Sequence, residues 1–353
     1  MRRALALARN GWGMVQPNPL VGAVVVAAGE VAGDGWHAEF GGPHAELLAL
    51  RAAGDAARGA TLYVTLEPCS HQGKTPPCTE AIIAAGIAEV VYAAEDPNPR
   101  ARGGADVLRA AGIRVRAGVE RAAARSLNAP FFRAYEAGTP FVTLKLALSL
   151  DGRIAARQGV RSPVTGPAAN LEVQRQRAGN DAVVVGLGTV VADDPLLTVR
   201  DVPVRVQPVR VVLDTEARLP AASKLATTAN EAPVCVVCAP DAEPRRVEQL
   251  EAAGVRVLRA ARAAGGLSPA SAIRALGEAG MQALFVEGGA RLATSLLGAS
   301  LVDRMHLYIA PFFFGAAGVP AFALASGLDG WAFTNSTLLG GDALMTLERT
   351  QAG

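Results

Sequence analysis

Only 5% of the 353 residues are aromatic, and cysteine and histidine number four each. Four cysteines in so long a chain do not make a disulfide framework. So few rings argue against the stacking platforms that hold single-stranded nucleic acid. Charge of one sign is lacking too: 34 basic residues face 32 acidic ones, for a net charge of +2. A nucleic-acid footprint would appear as a strongly basic face. The longest apolar runs, such as residues 21–28, fall far short of the ~20 residues of a membrane span. Arg2 and Arg3 precede a short apolar stretch, but Arg9 interrupts it before a signal-peptide core is complete. The absences together read as a soluble, cytoplasmic protein. Half the residues are hydrophobic, so burial is no obstacle, and the length calls for two domains.

Lysine is also scarce. The chain has three, Lys74, Lys145 and Lys224, so 31 of its 34 basic residues are arginine. A composition so biased uses arginine wherever diffuse positive charge suffices. Lys74 and Lys145, both inside motifs, therefore suggest places where a compact ammonium is needed.

What is present is a metal pattern. His44-Ala45-Glu46 is followed by Pro68-Cys69, then by Cys78 after eight intervening residues. One imidazole and two thiolates give zinc three protein ligands and leave a fourth position for water, the mark of a catalytic site. Zinc acidifies water bound there, and Glu46 is placed to shuttle protons. His-x-Glu followed by Pro-Cys and a second Cys is the zinc nucleobase-deaminase pattern, with a wider gap than the usual Cys-x-x-Cys. His71 and Lys74 fall between the cysteines, facing either substrate or solvent. Cys235 and Cys238 have the shorter spacing but lie in an apolar run that reads as a strand. Residues three apart on a strand face opposite ways and cannot share an ion.

Strand and helix signals alternate over the first 140 residues, with strands at 21–27, 60–66, 89–94 and 113–117. Helices are predicted at 43–53, with His44 and Glu46 in the first turn, at 78–85, at 102–111 and over 119–135. This is an α/β sandwich with the metal at two helix N-termini. The sequence Gly138-Thr139-Pro140 marks a boundary, giving domains 1–140 and 141–353. Alternation then restarts, with strands at 141–148, 181–185, 209–213, 234–237, 255–258 and 283–287 and the clearest helix at 269–279. Segments 301–309 and 343–349 read as strands with no helix between, closing a mixed sheet. Gly186-Leu187-Gly188 lacks the third glycine of a dinucleotide fingerprint. Gly288-Gly289 is either a phosphate-holding helix start or a simple turn.

These motifs identify a family. The chain resembles the bifunctional riboflavin-biosynthesis deaminase–reductases along nearly its whole length. In the first domain the likeness rests on Pro17-Asn18-Pro19-Leu20-Val21-Gly22, Pro43-His44-Ala45-Glu46, Thr65-Leu66-Glu67-Pro68-Cys69-Ser70-His71 and Asp96-Pro97-Asn98-Pro99. In the second it rests on Lys145-Leu146, Ser149-Leu150-Asp151-Gly152, the run from Thr189 to Pro195, and Val286-Glu287-Gly288-Gly289. The eight-residue gap between cysteines is this family's habit.

The resemblance implies a cytidine-deaminase-like α/β/α sandwich followed by a mixed-sheet domain similar to dihydrofolate reductase. It implies zinc on His44, Cys69 and Cys78, and Glu46 as the catalytic proton carrier. Asn18, His37, His71, Lys74, Asp96 and Asn98 match deaminase substrate positions. NADPH is implied for the second domain, lined by Ala147, Pro163, Thr189, Asp193, Thr215 and Gly289. Lys145, Arg161, Arg177, Leu197, Arg200 and Glu287 match the reductase substrate site, the arginines suiting a phosphate. Where the family has Ser-x-Trp-Ile-Thr, this chain has Arg161-Ser162-Pro163-Val164-Thr165 and no aromatic ring. The substrates implied are small phosphorylated pyrimidines, with no nucleic acid or membrane partner; a homo-oligomer is compatible with the sequence. Two other readings stand at this point: a base editor of nucleic acid, and a deaminase with a non-catalytic second domain.

Overall fold

The computed structural model describes residues 1–71, 76–160, 162–324, 327 and 329–350. The chain divides into two compact units, Met1–Gly138 and Thr139–Gly353. Gly138, at φ 65°, ends the helix Ala129–Ala137 in the left-handed conformation glycine adopts without strain.

The first unit is built on five strands in the order Glu30–Trp36, Gly22–Ala27, Thr61–Leu66, Glu89–Ala94, Arg114–Ala117. The first three are antiparallel neighbours and the last three run parallel. On one face Val25, Leu62, Val64 and Val90 pack against Ala49 and Leu50 of helix Ala45–Ala53 and Ile82 of helix Cys78–Ala84. Ala93 on the other face, with Leu66 and Ala94 at the strand ends, meets Leu5, Phe131 and Phe132. The result is an α/β/α sandwich. Strand Glu30–Trp36 has no counterpart in the hydrophobic pattern, because Gly33 and Gly35 interrupt it. A Cβ at Gly33 would stand 2.5 Å from the Ala49 carbonyl oxygen, and one at Gly35 2.6 Å from Leu48 Cβ. The helix that follows His44 lies directly on this strand, and only glycine permits so close an approach.

Nine strands form the sheet of the second unit, in the order Arg256–Arg259, Val234–Cys238, Val209–Leu213, Ala182–Gly186, Ala283–Val286, Phe141–Ser149, Arg304–Ala310, Asp342–Arg349, Trp331–Leu339. The first seven are parallel, and the last two pair antiparallel, so the sheet is mixed. Helices Pro269–Glu278 and Ala290–Gly298 cover one face through Ile273, Leu276, Leu296 and Leu297. Helices Lys224–Thr227 and Pro244–Ala252 cover part of the other, and helix Pro167–Ala178 covers Phe285, Tyr308 and Leu344. Cys235 packs into the first core and Cys238 into the second, on opposite faces of their strand as the spacing requires. The edge strand Trp331–Leu339 is mostly exposed, and its apolar residues cluster at its two ends around Thr334-Asn335-Ser336-Thr337, so no hydrophobic alternation announces it. Among the described residues, no helix is long and apolar enough to cross a membrane.

Candidate active sites

Helix Ala45–Ala53 starts two positions later than the helix at 43–53 read from sequence, so His44 is the extended residue just before it rather than part of its first turn, and Cys78 opens helix Cys78–Ala84. Cys69 lies beyond strand Thr61–Leu66 on the loop that runs to Cys78. The three bring their ligand atoms within 4.8 Å of one another. His44 Nδ1 is 3.1 Å from Cys78 Sγ and 3.6 Å from Cys69 Sγ, and the Cys78 N–H donates to Cys69 Sγ at 3.4 Å. A hydrogen bond from the Cys78 thiol, then the neighbouring His44, holds Cys69 down to about 4, in the thiolate form. Cys78, carrying the shared proton in a buried place, is driven up. That proton is what a divalent cation displaces when it binds such a set. The donor set, two soft sulfurs and an imidazole, fits zinc.

Glu46 sits in the first turn, 4% exposed. Burial pushes its carboxyl up, partly offset by the charge of His44. His37 is buried, and its ring stands edge-on to His44 with centroids 5.6 Å apart. His37 Nδ1 meets the Pro43 carbonyl at 3.1 Å and Nε2 meets Asn18 Nδ2 at 3.1 Å. The pairing requires the neutral tautomer with the proton on Nδ1, and burial lowers the His37 pKa accordingly. Asp96 is buried, and its Oδ1 accepts the Asn98 N–H at 2.8 Å. Burial pushes the Asp96 carboxyl up to about 6. His71 Nδ1 is buried with no hydrogen-bond partner among the described residues. Lys74 lies outside the described residues.

Two supporting residues carry no chemical signature in the sequence. Glu67 Oε1 accepts the N–H groups of Gly103 and Ala105, each at 3.1 Å, and Oε2 accepts that of Asp96 at 3.3 Å. One carboxylate thus holds the start of helix Gly104–Ala110 and the loop of Asp96 together. A Cβ at Gly104 would fall 1.8 Å from the carbonyl oxygen of Pro68, next to Cys69. Glu67 was in plain view within the Thr-Leu-Glu-Pro-Cys run, but nothing local distinguishes it from a solvated acid.

In the second unit Thr189 and Asp193, Thr215 and Glu287 follow the C-terminal ends of three parallel strands, where open α/β sheets bind ligands. Arg177, from helix Pro167–Ala178, donates Nε to Glu287 Oε1 at 2.5 Å and Nη2 to Oε2 at 3.0 Å. Its Nη1 donates to the Thr198 carbonyl at 3.1 Å, on the segment of Leu197 and Arg200. Glu287 is raised by burial, but Arg177, Lys145 and Arg200 outweigh this and bring it below its ordinary value. Lys145, on strand Phe141–Ser149, is lowered by burial, with its Nζ 5.7 Å from the Tyr308 ring centroid. Arg200 is exposed, its N–H bonded to Gln174 Oε1 at 2.9 Å.

Gly289 precedes helix Ala290–Gly298, and a Cβ there would stand 4.0 Å from Thr189 Oγ1. Thr189 and Asp193 belong to helix Leu187–Asp193, which starts directly after strand Ala182–Gly186. Cβ atoms at Gly186 and Gly188 would meet nothing within 4 Å, so the backbone of this turn is open on the side where a side chain would stand. Ala147 lies on the Lys145 strand, and Thr215 lies beyond Val209–Leu213, two strands from that of Glu287. Pro163 is exposed on a loop, and Arg161 lies outside the described residues.

Comparison with known proteins bears on both units. Residues 1–94 match the cytidine and deoxycytidylate deaminase zinc-binding region, and residues 140–345 match the RibD C-terminal domain. The riboflavin biosynthesis protein RibD of Bacillus amyloliquefaciens is 41% identical, over 98% of this chain and 94% of that protein. The chain belongs to the RibD family. RibD of Escherichia coli is 42% identical over 90% of this chain and 88% of its own length. The solved structure of Acinetobacter baumannii RibD superposes with a TM-score of 0.86 at 36% identity, covering 99% of this chain and 98% of that one. A Thermotoga maritima structure described as a diaminohydroxyphosphoribosylaminopyrimidine deaminase/5-amino-6-(5-phosphoribosylamino)uracil reductase gives 0.84 at 36% identity, covering 99% and 97%. RibD membership accounts for a zinc deaminase and a reductase in one chain.

Proposed function

We propose that the protein carries out two consecutive steps of riboflavin synthesis. The first unit hydrolyses the 2-amino group of 2,5-diamino-6-ribosylamino-4(3H)-pyrimidinone 5′-phosphate. The second reduces the ribosyl side chain of the product to ribityl. The observation that carries the reading is the convergence of His44, Cys69 and Cys78 beside the buried carboxyl of Glu46.

His44, Cys69 and Cys78 would hold the zinc ion. When bound, zinc supplies the Lewis acidity that makes water a nucleophile near neutral pH. Glu46, kept from bulk water, takes a proton and returns one to the departing amine. Asn18, His37, His71, Asp96 and Asn98 orient the pyrimidine, with Lys74 as partner of its phosphate or ring. In the second unit NADPH, when bound, would supply the hydride for reduction at the ribose C1′. Ala147, Pro163, Thr189, Asp193, Thr215 and Gly289 line the cofactor. Three N–H groups of Arg177 are committed to Glu287 and Thr198, so Arg177 fixes the Glu287 carboxylate. Exposed Arg200 is then the arginine that best suits the phosphate, with Arg161 beside it in the reading and Leu197 against the base. Lys145 positions the substrate opposite Glu287.

The substrates are free small molecules and the setting is the cytoplasm; near-neutral charge and few aromatic residues speak against nucleic acid. Association into homo-oligomers is compatible with this chemistry. Zinc-loaded protein given the diaminopyrimidine phosphate should release ammonia and then oxidise NADPH. Ammonia without NADPH oxidation would make the second unit a non-catalytic module and overturn the two-step reading.

A further inference from the structure

The segment that carries Asn18 is flanked by Pro17 and Pro19, neither of which has an N–H to place in a backbone ladder. Its position is set from outside. Asn128 stands at the junction of helices Arg121–Leu127 and Ala129–Ala137 and is 4% exposed. An asparagine in front of a helix ordinarily caps it, yet this side chain makes no cap bond. It reaches Leu20 instead. Asn128 Oδ1 accepts the Leu20 N–H at 2.7 Å, and Nδ2 donates to the Leu20 carbonyl at 2.9 Å. The amide plays the part of a peptide group exchanging two hydrogen bonds with an antiparallel partner.

Neighbouring bonds fix the segment on either side of Leu20. The Asn18 N–H donates to the Val15 carbonyl at 2.9 Å and the His37 N–H to the Val21 carbonyl at 2.9 Å. The Gly22 N–H donates to Thr65 Oγ1 at 3.1 Å. Leu20 is therefore the point where the helical layer grips the segment, two residues from the Asn18 amide that meets His37 Nε2. Without the clamp, both buried backbone groups of Leu20 would lose their partners.

We infer that Asn128 is a positioning residue of the deaminase: it clamps Leu20 so that Asn18 stands against His37 beside the cysteine–histidine cluster. The inference rests on the deaminase reading of that cluster. Its test uses the full-length protein. Asn128→Leu is nearly isosteric and removes both bonds, whereas Asn128→Asp keeps an acceptor for the Leu20 N–H. Asn128→Leu should bind zinc like the parent and oxidise NADPH normally on already deaminated substrate. Its deaminase KM should rise about tenfold or more, with kcat changed less, and Asn128→Asp should recover part of the loss. Combined with Asn18→Ala, the losses in kcat/KM should be less than additive, because both act through one contact.

A parental KM in zinc-loaded Asn128→Leu overturns the inference, as do strictly additive losses with Asn18→Ala. It is equally overturned if both Asn128 variants lose activity only in proportion to lost zinc or lowered thermal stability. A parent protein that releases no ammonia would instead bring down the deaminase reading itself.

Discussion

Arg177 and Glu287 meet side-on, two nitrogens against two oxygens, with only 10% and 11% of their side chains exposed. Neither charge has enough water around it to stand alone. Removing one partner of such a pair typically costs about 3–5 kcal/mol, because the other is left buried and uncompensated. Arg177→Met should therefore destabilise the second unit by about that amount and abolish NADPH oxidation, while ammonia release continues. Denaturation curves and the two assays decide it; an Arg177→Met protein with parental reductase activity would remove the pair from the site.

Glu46→Gln keeps all three metal ligands and the shape of the side chain while deleting the proton carrier. We expect full zinc content and at least a 100-fold fall in ammonia release, in line with the ~10²–10⁴ ascribed to a positioned acid–base group. NADPH oxidation on deaminated substrate should be unchanged. Parental deamination by a zinc-replete Glu46→Gln protein would refute the role. Chelating the metal from the parent should reproduce the same split between the two activities.

Asp96 gives a pH signature. Its carboxyl is pushed from 3.8 to about 6 by burial, so the protonated form favours the fold below pH 3.8, and this advantage is lost as pH rises through about 6. Asp96→Asn is neutral throughout. The variant should be more stable than the parent at pH 8, by up to about 3 kcal/mol, with the difference shrinking towards pH 4. It should also deaminate more slowly, the usual exchange of stability against function at a binding site. A stability difference independent of pH would show that Asp96 is not held against its own charge.

A fragment beginning at Thr139 should fold and oxidise NADPH when given deaminated substrate, since the second unit has its own sheet and cores. Soluble expression followed by a cofactor-oxidation assay tests this. An aggregated fragment would mean that its stability depends on residues before the boundary.

The cluster of His44, Cys69 and Cys78 was legible because such chemistry is packed into short, ordered motifs that few other structures need. The parallel strands were legible as well, since strands covered on both faces read as unbroken runs such as Val183-Val184-Val185. Strand Glu30–Trp36 was not, for its glycines answer to a helix lying on it rather than to strand propensity. Strand Trp331–Leu339 escaped because an exposed edge has no face that must be apolar. Glu67 and Asn128 were invisible as contributors for a related reason. Each acts through backbone groups distant in sequence, Asn128 across 108 positions, and only the folded chain brings them together.

The close approach at Gly104 has a consequence for how the metal ligands are spaced. With no room for even a methyl group against the Pro68 carbonyl, a helix outside the metal motif acts as a gauge block for Cys69. Alanine at that position would force the loop outward by the width of a carbon atom. The stretch of chain that presents Cys69 is thus seated against a residue that has no side chain at all.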